Sequence, residues 1–106
     1  MSDEAKMLHT VNKSPFERNA LNSCLRLARK GSGILLIEDG VYAALQGTAV
    51  SDRVGDAVND YRFFVLGADI EARGLAAKAL LDGVTVVDYG GFADLVAEHD
   101  AVQAWL

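Results

Sequence analysis

The sequence predicts an α/β protein, a three-layer α/β/α sandwich around a mostly parallel sheet of about five strands. Three apolar runs, Ile34–Ile37, Phe63–Leu66 and Val84–Val87, do not alternate with polar residues and are typical of parallel strands buried on both faces. Helix-like stretches separate the runs, which indicates a βαβ succession. Leu8–Val11 is predicted as the first strand and Val102–Leu106 as the last, short enough for an edge. The order of the strands does not follow from the sequence.

The first predicted helix follows Ser14, which supplies a capping hydroxyl, with Pro15 at the first helical position and Glu17 at the third. Gly31 and Gly33 end this helix. At about 100° per residue, Cys24 lies near the middle of its apolar half. That half consists of Phe16, Ala20, Leu21, Cys24, Leu25, Leu27 and Ala28.

Shorter helices are expected between the later strands. These segments are Val41–Leu45, Ser51–Asn59, Ile70–Arg73 after a cap at Asp69, and Ala76–Leu81 before the Asp82-Gly83 turn. The last helix carries an apolar stripe at spacings of three, four and seven. The stripe consists of Phe92, Leu95, Val96 and His99.

Composition indicates one domain of a soluble, cytoplasmic protein. A single cysteine among 106 residues excludes an internal disulfide. No stretch approaches the roughly 20 apolar residues of a membrane span. The polar start at residues 1–6 lacks the apolar region of a signal peptide.

Charge argues against direct binding of nucleic acid, because the formal net charge is −5. Residues 13–30 are nevertheless basic, with five cations against Glu17 alone, whereas residues 82–106 contain acidic residues and no Lys or Arg. The basic stretch is either an ordinary solvated helix face or a docking surface for an acidic partner. The candidate docking residues are Arg18, Arg26, Arg29 and Lys30.

The strand ends hold no recognisable cofactor site. Neither G-x-G-x-x-G nor G-x-x-x-x-G-K-[ST] occurs, and His9–Asn12 supplies none of the acidic residues of a phospho-receiver domain. We therefore expect no cofactor and no metal. Asp39, Asp69 and Asp88 each follow a strand, where caps and turn formers are the favoured interpretation.

Three further side chains could carry chemistry. His9 is interpreted as a hydrogen-bonded core histidine rather than an acid–base group, and His99 as a boundary residue at a helix end. Cys24 lies well past the first helical turn, so the helix dipole does little to ionise it. Passive packing is favoured for this thiol over a role as sulfur nucleophile.

Five segments in order resemble the DsrH family, the smallest subunit of the DsrEFH sulfur-trafficking complex, which is related to TusB of the TusBCD complex for tRNA 2-thiolation. The segments are His9–Phe16 (HTVNKSPF), Glu38–Leu45 (EDGVYAAL), Val65–Leu75 (VLGADIEARGL), Val87–Phe92 (VDYGGF) and Val102–Leu106 (VQAWL). The resemblance covers residues 7–106 as a single DsrH/TusB-like domain, with residues 1–6 as an N-terminal extension.

The resemblance implies a hetero-hexamer with DsrE-like and DsrF-like, or TusD-like and TusC-like, subunits. It implies sulfurtransferase activity of the complex, in which the principal sulfur-carrying cysteine belongs to the DsrE or TusD subunit. A DsrC-like or TusE-like protein is the implied acceptor. Cys24 matches a cysteine of DsrH-type sequences that TusB-type sequences often lack, which favours dissimilatory sulfur oxidation over tRNA wobble thiolation.

Two roles for Cys24 stay open at this point. In the favoured one, the chain works mainly in assembly and Cys24 is at most a secondary sulfur acceptor. In the other, Cys24 is itself a persulfide carrier whose thiolate attacks the outer sulfur of a donor.

Overall fold

Five parallel strands form one sheet in a computed structural model that describes residues 6–106. The strands are β1 (Met7–Val11), β2 (Gly33–Leu36), β3 (Arg62–Leu66), β4 (Val84–Val87) and β5 (Ala101–Trp105), in the order β4-β3-β2-β1-β5. The helices are α1 (Ala20–Leu27), a 3₁₀ helix (Glu38–Ala44), α2 (Ser51–Ala57), α3 (Gly67–Ala72) and α4 (Tyr89–Glu98). The predicted parallel sheet of five strands is confirmed, and β5 is an edge strand as expected.

The two faces of the sheet bury separate cores. Ile34 and Leu36 of β2 belong to the larger core, which also holds Cys24 of α1. Between them Leu35 points to the other face and belongs to a smaller core with Leu95 of α4. Successive strand residues face opposite sides, so α4 covers one face and the other helices cover the opposite one. The three-layer prediction is confirmed.

Right-handed crossovers explain this division of the helices. The chain steps from β1 through β2 and β3 to β4 in one direction, with its connections on one face. The return from β4 to β5, beyond β1, runs in the opposite direction. A right-handed return must cross the other face, which is where α4 lies.

The predicted start of the first helix is wrong. The helix begins at Ala20, not after Ser14. The Ser14 hydroxyl accepts a hydrogen bond from the Phe16 amide at 3.2 Å, and its carbonyl accepts from the amides of Glu17 and Arg18, which closes a separate turn. Phe16, predicted on the buried face, is consequently 53% exposed.

Two other expectations are wrong, because each depends on how distant parts of the chain pair with one another. Ala76–Leu81 is not a helix, because Leu80 forms an antiparallel bridge with Leu45 and the Leu81 amide donates to the Ala44 carbonyl. The strand Val84–Val87 is not buried on both faces. It lies at a sheet edge and leaves Thr85 and Val86 exposed.

The extension expected at residues 1–6 lies outside the described residues, apart from Lys6. Lys6 precedes β1, and its amide donates to the Asp100 carboxylate at 2.7 Å. Within residues 6–106, no helix has the length and apolar character needed to cross a membrane.

Candidate functional site

Cys24 lies on the inner side of α1, as its helical wheel predicted. Its exposure is 0%, and Ala20 and Leu21 of the same helix are also buried. These positions are related by spacings of three and four, which place them on one face of a helix. Leu27, predicted on the same half, is instead 65% exposed because it lies in the last turn, at the rim of that face.

Burial sets the protonation state of Cys24. Loss of solvation raises the pKa of its thiol to about 12. At pH 7 the ionised fraction is then about 10⁻⁵, against a few per cent for an ordinary thiol. Because the thiolate is the nucleophilic form, the folded chain holds Cys24 in an inert state.

Tyr61 fixes the end of the helix that carries Cys24. Its single hydroxyl proton is shared between the carbonyls of Leu25, at 2.9 Å, and Ala28, at 3.2 Å. Burial, the negative charge of Asp60 and proximity to Cys24 raise the pKa of this phenol, so it remains a donor at neutral pH. Tyr61 could not be predicted from the sequence, because its partners are more than 30 positions away and no local pattern links them.

The four candidate docking residues lie on the outer surface and not beside Cys24. Arg18 precedes α1, Arg26 is in its last turn, and Arg29 and Lys30 follow it; all four are exposed. Lys30 approaches Asp60 at 3.8 Å, an exposed ion pair of little energetic weight. None of these cations therefore stabilises a thiolate within the core.

His9 is a hydrogen-bonded core residue, as expected. It is buried in β1, and its Nδ1 accepts a hydrogen bond from Trp105 Nε1 at 3.0 Å. Burial lowers the pKa of the imidazole, so the neutral ring predominates at pH 7. With Nδ1 acting as acceptor, the proton of that neutral ring is on Nε2.

The expectation for His99 is wrong, because this residue is buried and not at a boundary. Its Nδ1 lies 2.6 Å from the Leu95 carbonyl, one helical turn back, and its Nε2 lies 2.7 Å from the guanidinium of Arg62. Nδ1 must donate to the carbonyl, so Nε2 accepts from Arg62. The arginine comes from β3, 37 positions away, which is why the helical stripe could not reveal the pair.

Asp39 and Asp69 meet at the carboxyl edge of the sheet through Arg73. The guanidinium lies 2.9 Å from Asp39 and 3.8 Å from Asp69. Asp69 also accepts a hydrogen bond of 2.6 Å from the amide of Glu38, whose φ of +50° is in the left-handed region. This cluster fastens the start of the 3₁₀ helix to α3.

Asp88 is the cap that the sequence predicted. Its carboxylate accepts from the Gly91 amide at 2.7 Å at the start of α4. Across residues 6–106, the structure groups no three His, Cys, Asp or Glu side chains in a way that could hold a metal ion.

Comparison with protein families gives a consistent match. A family described as DsrH like protein matches residues 13–102. Proteins named TusB from Erwinia tasmaniensis, Pectobacterium parmentieri and Yersinia pestis are 41%, 35% and 38% identical to this chain over 99 residues. Each of the three alignments covers 93% of this chain and the whole of the relative.

Two solved structures share the fold. The ychN protein from E. coli superposes with a TM-score of 0.83 at 19% identity, covering 96% of this chain and all of that one. A protein of unknown function, MTH1491 from Methanobacterium thermoautotrophicum, gives a TM-score of 0.71 at 19% identity, covering 95% and 99% of the two chains. At these identities the likeness extends to the architecture alone.

Proposed function

Because this chain belongs to the family of DsrH-like proteins, we propose that it is a TusB-like subunit of a sulfur relay that serves 2-thiouridine formation at the tRNA wobble position. Family membership supports a sulfur-relay subunit. The relatives named TusB favour the thiolation branch. Dissimilatory sulfur oxidation, the branch first expected from Cys24, is less well supported by these relatives than its alternative.

The observation that carries the proposed role is the burial of Cys24. In persulfide transfer, an acceptor thiolate attacks the outer sulfur of a donor persulfide. A new S–S bond forms, the S–S bond of the donor breaks, and the donor leaves as a thiolate. The acceptor must be ionised and accessible. Cys24 has an exposure of 0% and a pKa of about 12, which supports a subunit that assists a carrier located elsewhere.

The proposed partners are TusC-like and TusD-like subunits, in a hetero-hexamer with two copies of each chain. In this arrangement the TusD-like subunit holds the principal cysteine, and a TusE-like protein accepts the sulfur. The formal net charge of −5 supports a complex in which tRNA is held by another component. We place the complex in the cytoplasm, where tRNA is modified.

Complementation of a strain that lacks this gene tests the proposal. The readout is the amount of 2-thiouridine in total tRNA, measured by mass spectrometry of nucleosides. Deletion should abolish the modification and the wild-type gene should restore it. Cys24→Ala, which keeps a small apolar side chain in the core, should restore it to within about twofold of wild type, since the buried thiol adds mainly packing.

The same experiment separates the two roles of Cys24. Unchanged 2-thiouridine in the deletion strain would contradict the thiolation branch. If the Cys24→Ala variant assembles with the partner subunits but does not restore 2-thiouridine, Cys24 is instead identified as a necessary carrier. Co-purification of the tagged variant with the partner subunits is the control that distinguishes loss of chemistry from loss of assembly.

A further inference from the structure

A cavity with basic walls opens at the edge of the sheet where the strands begin. Its volume is about 530 Å³, and it lies between the C-terminal end of α1 and the starts of β1 and β3. The walls contain Lys6, His9, Arg29, Lys30 and Arg62. Among residues 6–106, no Asp or Glu lines this cavity. Four of the ten Lys and Arg residues thus surround one cavity in a chain of formal net charge −5.

Arg62 is held in a fixed orientation by uncharged partners. Its Nε donates to the Gly31 carbonyl at 3.2 Å, and its terminal nitrogen lies 2.7 Å from Nε2 of His99. Neither partner is a carboxylate, so the positive charge of this guanidinium is not neutralised by its contacts. A guanidinium oriented in advance loses little conformational entropy when it binds an oxyanion.

The two lysines of the wall, Lys6 and Lys30, are also weakly compensated. The backbone amide of Lys6, and not its ammonium group, donates a hydrogen bond to the Asp100 carboxylate. Lys30 has only the exposed 3.8 Å contact with Asp60. Both ammonium groups can therefore turn toward an anion in the cavity at little cost.

His9 adds a donor to the cavity. The hydrogen bond from Trp105 to Nδ1 of His9 puts the ring proton on Nε2. Among the described residues the structure gives Nε2 no partner, and His9 is one of the residues that line the cavity.

We propose that this cavity is a binding site for a small phosphate-bearing anion. A fixed guanidinium, two ammonium groups and an imidazole N–H suit a tetrahedral oxyanion that carries more than one negative charge. The site lies at the opposite edge of the sheet from the strand ends where ligands of open α/β sheets usually bind. Cys24 does not line it, so the inference goes beyond the proposed function and does not depend on it.

Titration of the full-length chain with pyrophosphate at constant ionic strength tests the site. The binding constant is measured by calorimetry, and amide chemical shifts locate the contact. Saturable shifts are expected at Gly31 and Ser32 of the cavity wall. Lys6→Gln and Lys30→Gln should each weaken binding about fivefold or more, because each removes one charge from the wall.

Lys78→Gln is the matched control, since it makes the same change at an exposed position outside the cavity. Its affinity for pyrophosphate should equal that of the wild type. Absence of a saturable response, or an equal loss of affinity in Lys78→Gln and Lys30→Gln, would overturn the proposal.

A parallel titration with ADP identifies the source of the phosphate. Equal affinity for ADP and pyrophosphate assigns the site to free phosphates, whereas tighter binding of ADP assigns it to a nucleotide. Either result supports the site. The site would be contradicted if both ligands changed the amide chemical shifts only of residues away from the cavity.

Discussion

The indole Nε1 of Trp105 donates a 3.0 Å hydrogen bond to Nδ1 of His9, and this bond ties the last strand of the chain to the first. Trp105 pairs in register with Val11 of β1. The side-chain hydrogen bond therefore runs diagonally, from Trp105 of β5 to His9, which lies two positions before Val11 on β1. The two ring centroids lie 6.0 Å apart. The C-terminal strand is therefore anchored by a side chain as well as by its backbone ladder.

Replacement of Trp105 by Phe should destabilise the fold by about 1–3 kcal/mol. The change keeps an aromatic ring but removes the N–H donor, which leaves Nδ1 of the buried His9 without a partner. Urea unfolding followed by circular dichroism measures the effect. Leu106→Ala, at the neighbouring exposed residue, should change stability by less than about 0.5 kcal/mol. Equal losses in the two variants would show that the hydrogen bond contributes nothing specific.

The stability of the fold should fall as the pH drops below about 6.5. Burial lowers the pKa of His9 in the folded state, whereas the unfolded chain has the ordinary value. As the pH falls, the unfolded chain therefore binds a proton at His9 before the folded chain does. The contribution of His9 to the free energy of unfolding is complete only above the pKa of His9 in the unfolded chain. His9→Asn keeps an acceptor for the Trp105 indole but does not titrate, so its stability profile between pH 7 and 5 should be flatter. Parallel profiles for the two proteins would contradict this assignment.

Gly40 should not tolerate a side chain. A Cβ at this position would overlap the carbonyl oxygen of Val11, which is part of the sheet backbone and cannot move aside. Gly40→Ala should cost more than about 2 kcal/mol. Gly55→Ala is the control, because its Cβ meets open space inside α2 and should stabilise the chain by roughly 0.5–1 kcal/mol. Chemical denaturation of both variants measures the difference, and a similar loss in each would refute the close-contact explanation.

Cys24 should react very slowly with thiol reagents in the folded chain. Its thiolate fraction at pH 7 is about 10⁻⁵ and the sulfur is inaccessible, so modification should follow unfolding and accelerate strongly in urea. The measurement is the rate of reaction with a chromogenic disulfide. Intact mass after exposure to a persulfide donor should likewise show no prompt adduct of one sulfur atom.

A matched control for this reactivity moves the thiol by one residue. Ser23 is partly exposed on the outer side of α1, so the double change Ser23→Cys with Cys24→Ser carries a thiol in solvent on the same helix. That variant should react at a rate typical of an ordinary thiol. Fast modification of the wild-type chain would contradict the buried, inert state of Cys24.

The sequence predicted the elements whose signal is local. Hydrophobic runs such as Ile34–Ile37 contain enough information to indicate parallel strands, and the spacing of Ala20, Leu21 and Cys24 determines the buried face of α1. Asp88 was recognised as a cap for the same reason, since its partner Gly91 is three residues away. Patterns of this kind depend only on neighbours in the chain.

The parts that failed depend on partners far along the chain. Ala76–Leu81 has a helical composition, but Leu80 pairs with Leu45 and tertiary hydrogen bonds override the propensity. His99 is buried because Arg62 of β3 supplies a donor for its ring. The turn at Ser14 shows a different limit, because its hydroxyl can cap a helix or close a local turn with the same acceptor atom.

Reversal of charge on the basic surface at the end of α1 should weaken assembly with the proposed partner subunits. Arg26 and Arg29 are both exposed, and complementary charge steers association and fixes its register. Arg26→Glu with Arg29→Glu should raise the dissociation constant about tenfold or more, measured by biolayer interferometry against TusC-like and TusD-like subunits. Arg53→Glu with Lys78→Glu changes the net charge equally at exposed positions away from α1 and should leave the dissociation constant near the wild-type value. Thermal unfolding of both variants separates lost contacts from a destabilised helix terminus. Unchanged affinity in the α1 variant would place the docking surface, including Arg18 and Lys30, on another part of the molecule.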